Sequence, residues 1–185
     1  MKLFKILFFV LLFTNGLYAQ KYFTRSGTIT FTSEAPLEKI EAVNQKATSI
    51  MDIASGKMEF AVLIKAFQFE KALMQEHFNE NYLESDKYPK AIFKGQIDNI
   101  SSVDFSKDGT YPVKVSGDLT IHGVTKPVQS TGTLSIKDGK INGASTFEVA
   151  VADYEIKIPN IVKDNIAKTV EIIVAVDYEL FEKNS

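Results

Sequence analysis

Apolar and polar positions alternate with a period of two along most of the chain. The pattern is clearest over residues 169–180, where Val170, Ile172, Val174, Val176, Tyr178 and Leu180 interleave with Thr169, Glu171, Ile173, Ala175, Asp177 and Glu179. Side chains on a strand point alternately to its two faces, so this segment predicts a strand with one buried and one mostly polar face. The same alternation marks residues 111–121 and 141–151, and further strands are predicted at 27–33, 47–53, 57–69, 91–97 and 128–136. Turn signals separate them at Ser55-Gly56, Asp108-Gly109, His122-Gly123 and Asp138-Gly139. Many sequential, one-sided strands predict an antiparallel meander. A meander this long closes on itself, because closure removes the edges that would otherwise pair with other chains. The predicted fold class is all-β, an antiparallel up-and-down β-barrel.

One stretch departs from the period of two. Residues 70–82 put Leu73, Met74, Phe78 and Tyr82 at helical spacing, with Glu70, Lys71, Gln75, Glu76 and Asn79 around the rest of the turn. This predicts one short amphipathic helix, too lightly apolar to stand alone and so laid against the barrel as a cap or flank.

The beginning of the chain follows neither pattern. Lys2 and Lys5 flank the start of an apolar run, Ile6 to Phe13, that leads into Thr14, Asn15, Gly16, Leu17, Tyr18 and Ala19. A charged start, a short apolar run and a small residue before Gln20 predict a secretory signal peptide over residues 1–19, leaving 20–185 as a single domain. The run is too short to cross a bilayer core of about 30 Å, which weighs against the alternative of a retained anchor. Cleavage takes away two lysines and no acid, moving the formal charge from −2 to −4. With no further long apolar segment, the expected location is periplasmic or secreted.

Composition narrows the chemistry. There is no cysteine, which excludes disulfides, thiolate nucleophiles, cysteine-ligated metals and a lipidated N-terminal cysteine. Two histidines, His77 and His122, leave little for metal binding or acid/base catalysis, and no His-x-x-x-His pair is present. The mild negative charge, without a basic run, excludes a nucleic-acid footprint.

The inward face is where function becomes readable. Gly95, Gly117, Ser130, Gly132, Gly143 and Ser145 share it with Phe93, Val115, Leu134, Phe147 and Val149. Small inward residues leave volume, and a barrel of about eight strands is at the size where the interior is either filled or holds one small ligand. The alternative is that the glycines only allow bends and close strand approach. The alternation predicts a tunnel lined by Phe93, Val115, Leu119, Phe147, Val149, Ile172, Val174 and Val176, with Gly117 as a point of clearance. Phe60 and Tyr178 extend this face on their own strands, and Met74 and Phe78 close it from the helix.

Four segments resemble the YceI-like family of secreted lipid-binding proteins. The first is Gly117-Asp118-Leu119-Thr120-Ile121-His122-Gly123-Val124-Thr125-Lys126-Pro127-Val128, similar to the family's most recognisable strand-turn-strand. The second is His77-Phe78 with Tyr82-Leu83-Glu84-Ser85, running into Lys87-Tyr88-Pro89-Lys90-Ala91-Ile92-Phe93-Lys94-Gly95. The third is Phe147 with Asp153-Tyr154 and Ile156, where this chain has Ala152 at a position commonly arginine. The fourth is the alternating final strand. The resemblance covers most of residues 23–180 and implies a lipocalin-like barrel that binds, stores or transports a long isoprenoid or fatty-acyl chain in a central apolar tunnel. It implies binding without catalysis and without a cofactor, and leaves the headgroup open. A homodimer is compatible with it.

The polar landmarks carry two readings each. His77, beside Phe78 on the helix, either contacts a headgroup at the barrel mouth or simply sits on the helix surface. His122 either does the same or bonds locally in its turn. Lys65 either meets an acidic headgroup or points to solvent with Glu59. Two rival functions remain. An exported hydrolase would use Ser130 or Ser116 with His122 and Asp118, but there is no Gly-x-Ser-x-Gly elbow. A protein-interaction module would have a filled barrel core, so cavity volume separates it from a carrier.

Overall fold

A computed structural model describes residues 20–181; the predicted signal peptide lies outside the described residues. The strands are β1 (Lys21–Glu34), β2 (Lys39–Asp52), β3 (Lys57–Leu63), β4 (Gln68–Phe69), β5 (Lys90–Ile97), β6 (Gly109–Ile121), β7 (Val124–Lys137), β8 (Lys140–Ala150) and β9 (Thr169–Leu180). They hydrogen-bond in the order β1-β9-β8-β7-β6-β5-β3-β2, and β2 returns to β1, so eight antiparallel strands close a lipocalin-like barrel. The two-residue β4 is added outside this ring, against Ala42 and Val43 of β2.

The tight turns follow from local chemistry. His122-Gly123 and Asp138-Gly139 form two-residue hairpin loops in which both residues take positive φ, the handedness that matches the twist of the flanking strands.

Two predicted elements differ from what forms. The segment 57–69 is not one strand: β3 stops at Leu63, a 3-10 turn (Ile64–Ala66) follows, and the chain resumes as β4. The buried positions Met58, Val62, Ile64 and Phe67 show why, since the period of two slips by one residue between Ile64 and Phe67. Within the slip Lys65 is exposed and pairs with Asp86, so it points to solvent, though from the 3-10 turn and not from a strand face shared with Glu59. The second difference is β2, which begins at Lys39, eight residues before the predicted start. Its first half buries small or polar side chains, Ala42 and Asn44, rather than large apolar ones, so no apolar alternation announces it. Asn44 is fully buried and satisfied, its amide nitrogen donating to the Leu63 carbonyl at 2.8 Å and its oxygen accepting from the Lys46 amide at 2.8 Å.

The predicted helix is α1 (Ala72–His77), continued by a π turn (Phe78–Tyr82). Asn79 bonds back to the Gln75 carbonyl at 2.8 Å, a contact that competes with regular helical bonding. No side chain caps α1 and none of its residues is buried, so its position depends on Phe78 just beyond it. Between β8 and β9 an 18-residue connection, 151–168, folds over the same end of the barrel in two 3-10 turns (Val151–Tyr154 and Asn160–Val162).

At the opposite end the barrel is plugged. Met51, Met58, Ile97, Ile136, Ile141 and Tyr178 pack there as one cluster. The Tyr178 hydroxyl is bonded to Ser49 Oγ at 2.8 Å, which satisfies a polar group that burial would otherwise penalise.

Candidate functional site

Between the plug and the helix, the barrel interior is hollow. An inner chamber of about 170 Å³ is bounded below by Met58, Ile97 and Tyr178 of the plug and walled by side chains from β3 and β5 to β9. Above it, a second chamber of about 440 Å³ lies between the barrel rim, α1 and the 151–168 connection. Ile121 and Ile172 line both, so the chambers meet at their level. Several inward apolar residues, among them Phe60, Val115, Phe147 and Val174, are only half-buried because they face empty space rather than one another.

Four phenylalanines define one side of the upper chamber. Phe31 on β1 touches Phe67, Phe69 and Phe78 with ring centroids 5.4–5.7 Å apart, and Phe78 touches Phe67 and Phe69 at 5.6 and 4.9 Å. Edge and offset contacts of this kind add about 0.5–1.5 kcal/mol per pair beyond burial, and they pin the helical segment to the wall.

The inner wall is almost free of polar groups. Ser130 and Ser145 are its inward hydroxyls, and they bond each other at 2.7 Å while Ser145 also donates to the Thr131 carbonyl at 2.9 Å. The pair offers no unsatisfied polar atom to a ligand, so the chamber suits hydrocarbon. Polarity returns at the outer rim. Lys71 Nζ lies 2.9 Å from Glu38 Oε1, and Asn165 Nδ2 donates to Glu38 Oε2 at 3.4 Å. The Lys71 hydrogen bond holds the Glu38 carboxyl below its ordinary range despite partial desolvation. In the plug, burial pushes the Tyr178 hydroxyl up to about 12, with the Ser49 bond opposing it, so this end stays neutral.

The sequence-predicted residues divide between the chambers. Phe60, Phe93, Val115, Leu119, Phe147, Val174, Val176 and Tyr178 line the inner one, Met74, His77, Phe78 and Val149 the upper one, and Ile172 both. Gly117 lines neither. A Cβ there would lie 2.5 Å from the Lys94 carbonyl oxygen and 2.8 Å from Phe93 Cζ, so its clearance serves close packing against Gly95 and the Phe93 ring, not the cavity.

His122 is also not at the mouth. Its Nδ1 lies 3.1 Å from the Tyr154 carbonyl oxygen, its Nε2 lies 2.8 Å from Glu84 Oε2, and its ring packs edge-on against Tyr88 at 4.7 Å. With both nitrogens engaged, His122 ties the turn at Tyr154 to the segment after the π turn and is not available to a headgroup. His77, by contrast, is exposed on the upper rim.

The hydrolase constellation does not assemble. Ser116 donates to Asp98 at 2.7 Å, Ser130 is paired with Ser145, and neither approaches His122, whose nitrogens are already occupied. Among the described residues, no three metal-ligating side chains gather.

Sequence reasoning missed much of the upper chamber: Phe31, Phe67 and Phe69, and from the connection Val151, Tyr154, Ile158, Val162 and Ile166. A signal was present in Ile156 and Ile158, which alternate with Glu155 and Lys157.

Comparison with solved structures places this architecture among known ones. A polyisoprenoid-binding domain from Saccharophagus degradans, implicated in plant cell wall breakdown, superposes with a TM-score of 0.75 at 14% identity, over 88% of this chain and 99% of that one. Burkholderia cenocepacia BcnA gives 0.68 at 15% identity, over 83% and 96%. The YceI protein of Campylobacter jejuni gives 0.51 at 20% identity, over 75% and 81%. No curated protein matches the sequence. At these identities the structures establish the shared barrel, while the sequence itself carries the kinship: the profile of the YceI-like domain matches residues 19–178, and the chain belongs to the YceI-like domain family.

Proposed function

We propose that this protein is a non-enzymatic carrier that binds, stores or transports a long-chain apolar lipid of isoprenoid or fatty-acyl type. The observation that carries the reading is the tube itself, plugged at one end, apolar through the inner chamber and polar only at its outer rim. Each methylene moved from water into such a chamber gains about 0.8 kcal/mol, so a chain of ten or more carbons is held firmly with no polar contact at all. The chain end enters the inner chamber first, and the headgroup stays near Glu38, Lys71 and His77. A filled barrel core, which a protein-interaction module requires, is at odds with the chamber. The resemblance to a polyisoprenoid-binding domain supports the ligand class.

Export completes the reading. Residues 1–19 are removed as a signal peptide, and the domain acts in the periplasm or outside the cell, where water dissolves a free long hydrocarbon poorly. Among the described residues no helix is long and apolar enough to cross a membrane.

The test is native mass spectrometry of protein recovered from the compartment in which it naturally resides, followed by organic extraction. The expected result is a chain beginning near Gln20 with an adduct that passes into the organic phase and is identified there as a long-chain lipid. Protein recovered uniformly empty, and unable to take up isoprenoid alcohols or fatty acids, would overturn the proposal.

A further inference from the structure

We infer that the mouth of the upper chamber docks on a lipid bilayer, with Leu37, Leu73 and Ile161 immersed at its surface. The inference rests on the carrier reading for its purpose and on the exposed rim for its substance. Among the described residues the three most exposed large apolar side chains are Ile161 at 91%, Leu37 at 73% and Leu73 at 61%. They come from three segments distant in sequence, the β1–β2 turn, α1 and the 160–162 turn, and all three segments converge on the mouth.

The convergence is fixed by contacts. The Leu37 amide donates to the Asp164 carbonyl at 3.1 Å, joining the β1–β2 turn to the connection. Glu38, next to Leu37, holds Lys71 at the start of α1 and Asn165 in the connection. Leu73 itself lines the upper chamber, as does Val162 beside Ile161. At the plugged end the exposed Phe181 behaves differently, since its ring packs edge-on against Phe23 at 5.6 Å. The three most exposed apolar side chains therefore belong to the open end, while Ile50, Leu63, Ile173 and Leu180 on the strands are only 37–45% exposed.

A bilayer is the occupant this rim fits. A hydrocarbon that leaves a membrane through open water slows by about fourfold for each methylene exposed on the way. A mouth pressed to the bilayer avoids that exposure, whereas a facing protein would stop the opening without supplying a hydrocarbon phase. At the rim Lys71 pairs with Glu38 and Lys39 with Glu34, and Lys163 beside Ile161 and Val162 is followed at once by Asp164, so no charge of one sign dominates and the apolar side chains are the docking groups. Docking of this kind does not depend on anionic lipid and resists salt.

The chain has no tryptophan, so Ile161→Trp in the processed protein is a single reporter. With phosphatidylcholine vesicles its emission should shift to the blue and be quenched by brominated acyl chains, while Ile173→Trp on the outer barrel wall should show neither. The double variant Leu37→Ser/Ile161→Ser alters two exposed residues outside the chamber walls. It should cosediment with these vesicles about 100-fold less than wild type, taking roughly tenfold per side chain, and should slow uptake of a labelled isoprenoid alcohol from vesicles. Its equilibrium loading from ethanol-dispersed lipid should match wild type. No emission shift in the Ile161→Trp variant, with normal lipid loading, overturns docking and leaves the carrier reading standing. Vesicle binding by protein that never loads lipid does the reverse. Binding that requires anionic lipid and vanishes in high salt overturns apolar docking, as does a wild-type dimer that the double variant dissociates without any vesicle effect.

Discussion

Val174→Phe tests whether the inner chamber receives the ligand's chain end. Val174 is on β9, in register with Ile29 of β1 and Ser145 of β8, and its side chain faces the chamber between the plug and the phenylalanine cluster. Phenylalanine adds four carbons to a space of about 170 Å³, so the new ring has room and the overpacking cost should stay at the low end of about 1–3 kcal/mol. Those carbons displace roughly four methylenes of cargo toward the rim. At about 0.8 kcal/mol each this weakens binding of a long chain by about 3 kcal/mol, or roughly 200-fold in Kd. The assay is a series of saturated alcohols of increasing length competing with an environment-sensitive fatty probe, on variants shown by circular dichroism to be folded. Short alcohols, accommodated in the 440 Å³ upper chamber, should bind wild type and variant alike, and the two should diverge once the chain reaches the inner chamber. Ile173→Phe, one residue along and on the outer face, should leave the whole series unchanged. A folded Val174→Phe protein that binds the longest alcohols with wild-type affinity would refute the assignment of the inner chamber as the chain site.

Three further outcomes are expected. Phe78→Ala removes the ring that joins the helical segment to Phe31, Phe67 and Phe69, and it should cost about 2–3 kcal/mol and roughly 5–10 °C in Tm by calorimetry. Gly117→Ala should destabilise by about 1–3 kcal/mol in urea unfolding, because the added carbon meets the Lys94 carbonyl and the Gly95 Cα, which are backbone and cannot rotate away. Hydrogen bonding from His122 first, and the charge of Lys87 after it, hold the Glu84 carboxyl below its ordinary range, so its contribution is present above that range and lost as pH falls through the lowered value. The Tm difference between wild type and Glu84→Gln should therefore be present above the ordinary glutamate range and shrink as pH falls below it, as read by a series of thermal melts.

Strands whose buried residues are large and apolar were legible from the chain, as β6, β8 and β9 show, because a one-sided strand writes its burial directly into the sequence. Strand β2 was half hidden because Ala42 and Asn44 are buried by contacts that no hydropathy pattern carries. The break after β3 was readable only as a slip of phase, and the upper chamber's outer wall comes from a connection whose shape depends on long-range bonds such as Ala167 N to Ser33 Oγ at 2.9 Å. Most tunnel residues were identifiable because they share the inward face. Gly117 shares that face too, yet a missing side chain does not say which neighbour fills the space, and here Phe93 does.

The position of the cavity along the barrel follows from register. Across the plug, Tyr178, Ile141 and Ile136 stand opposite one another, and three large side chains leave nothing open. Four residues along β9, the row Val174, Ser145, Gly132 and Val113 puts small or medium side chains side by side across four strands, with Ile29 of β1 beside Val174. Two further residues along β9, Phe31, Ile172 and Phe147 bring large side chains back. Void therefore lies between a filled end and an aromatic collar, and neither composition nor alternation could locate it, because the same residues paired two positions out of step would mix large with small and fill the barrel evenly. An irregularity between Phe23 and Thr28 shifts β1 by one residue against β9, at the level where Gly27 meets Val176, while against β2 the register slips at Gly27 and is restored by Ile29. The hollow is thus a property of strand pairing: the sequence supplies side chains of the needed sizes, and the registers of β6 with β7, β7 with β8 and β8 with β9 bring the small ones to one level.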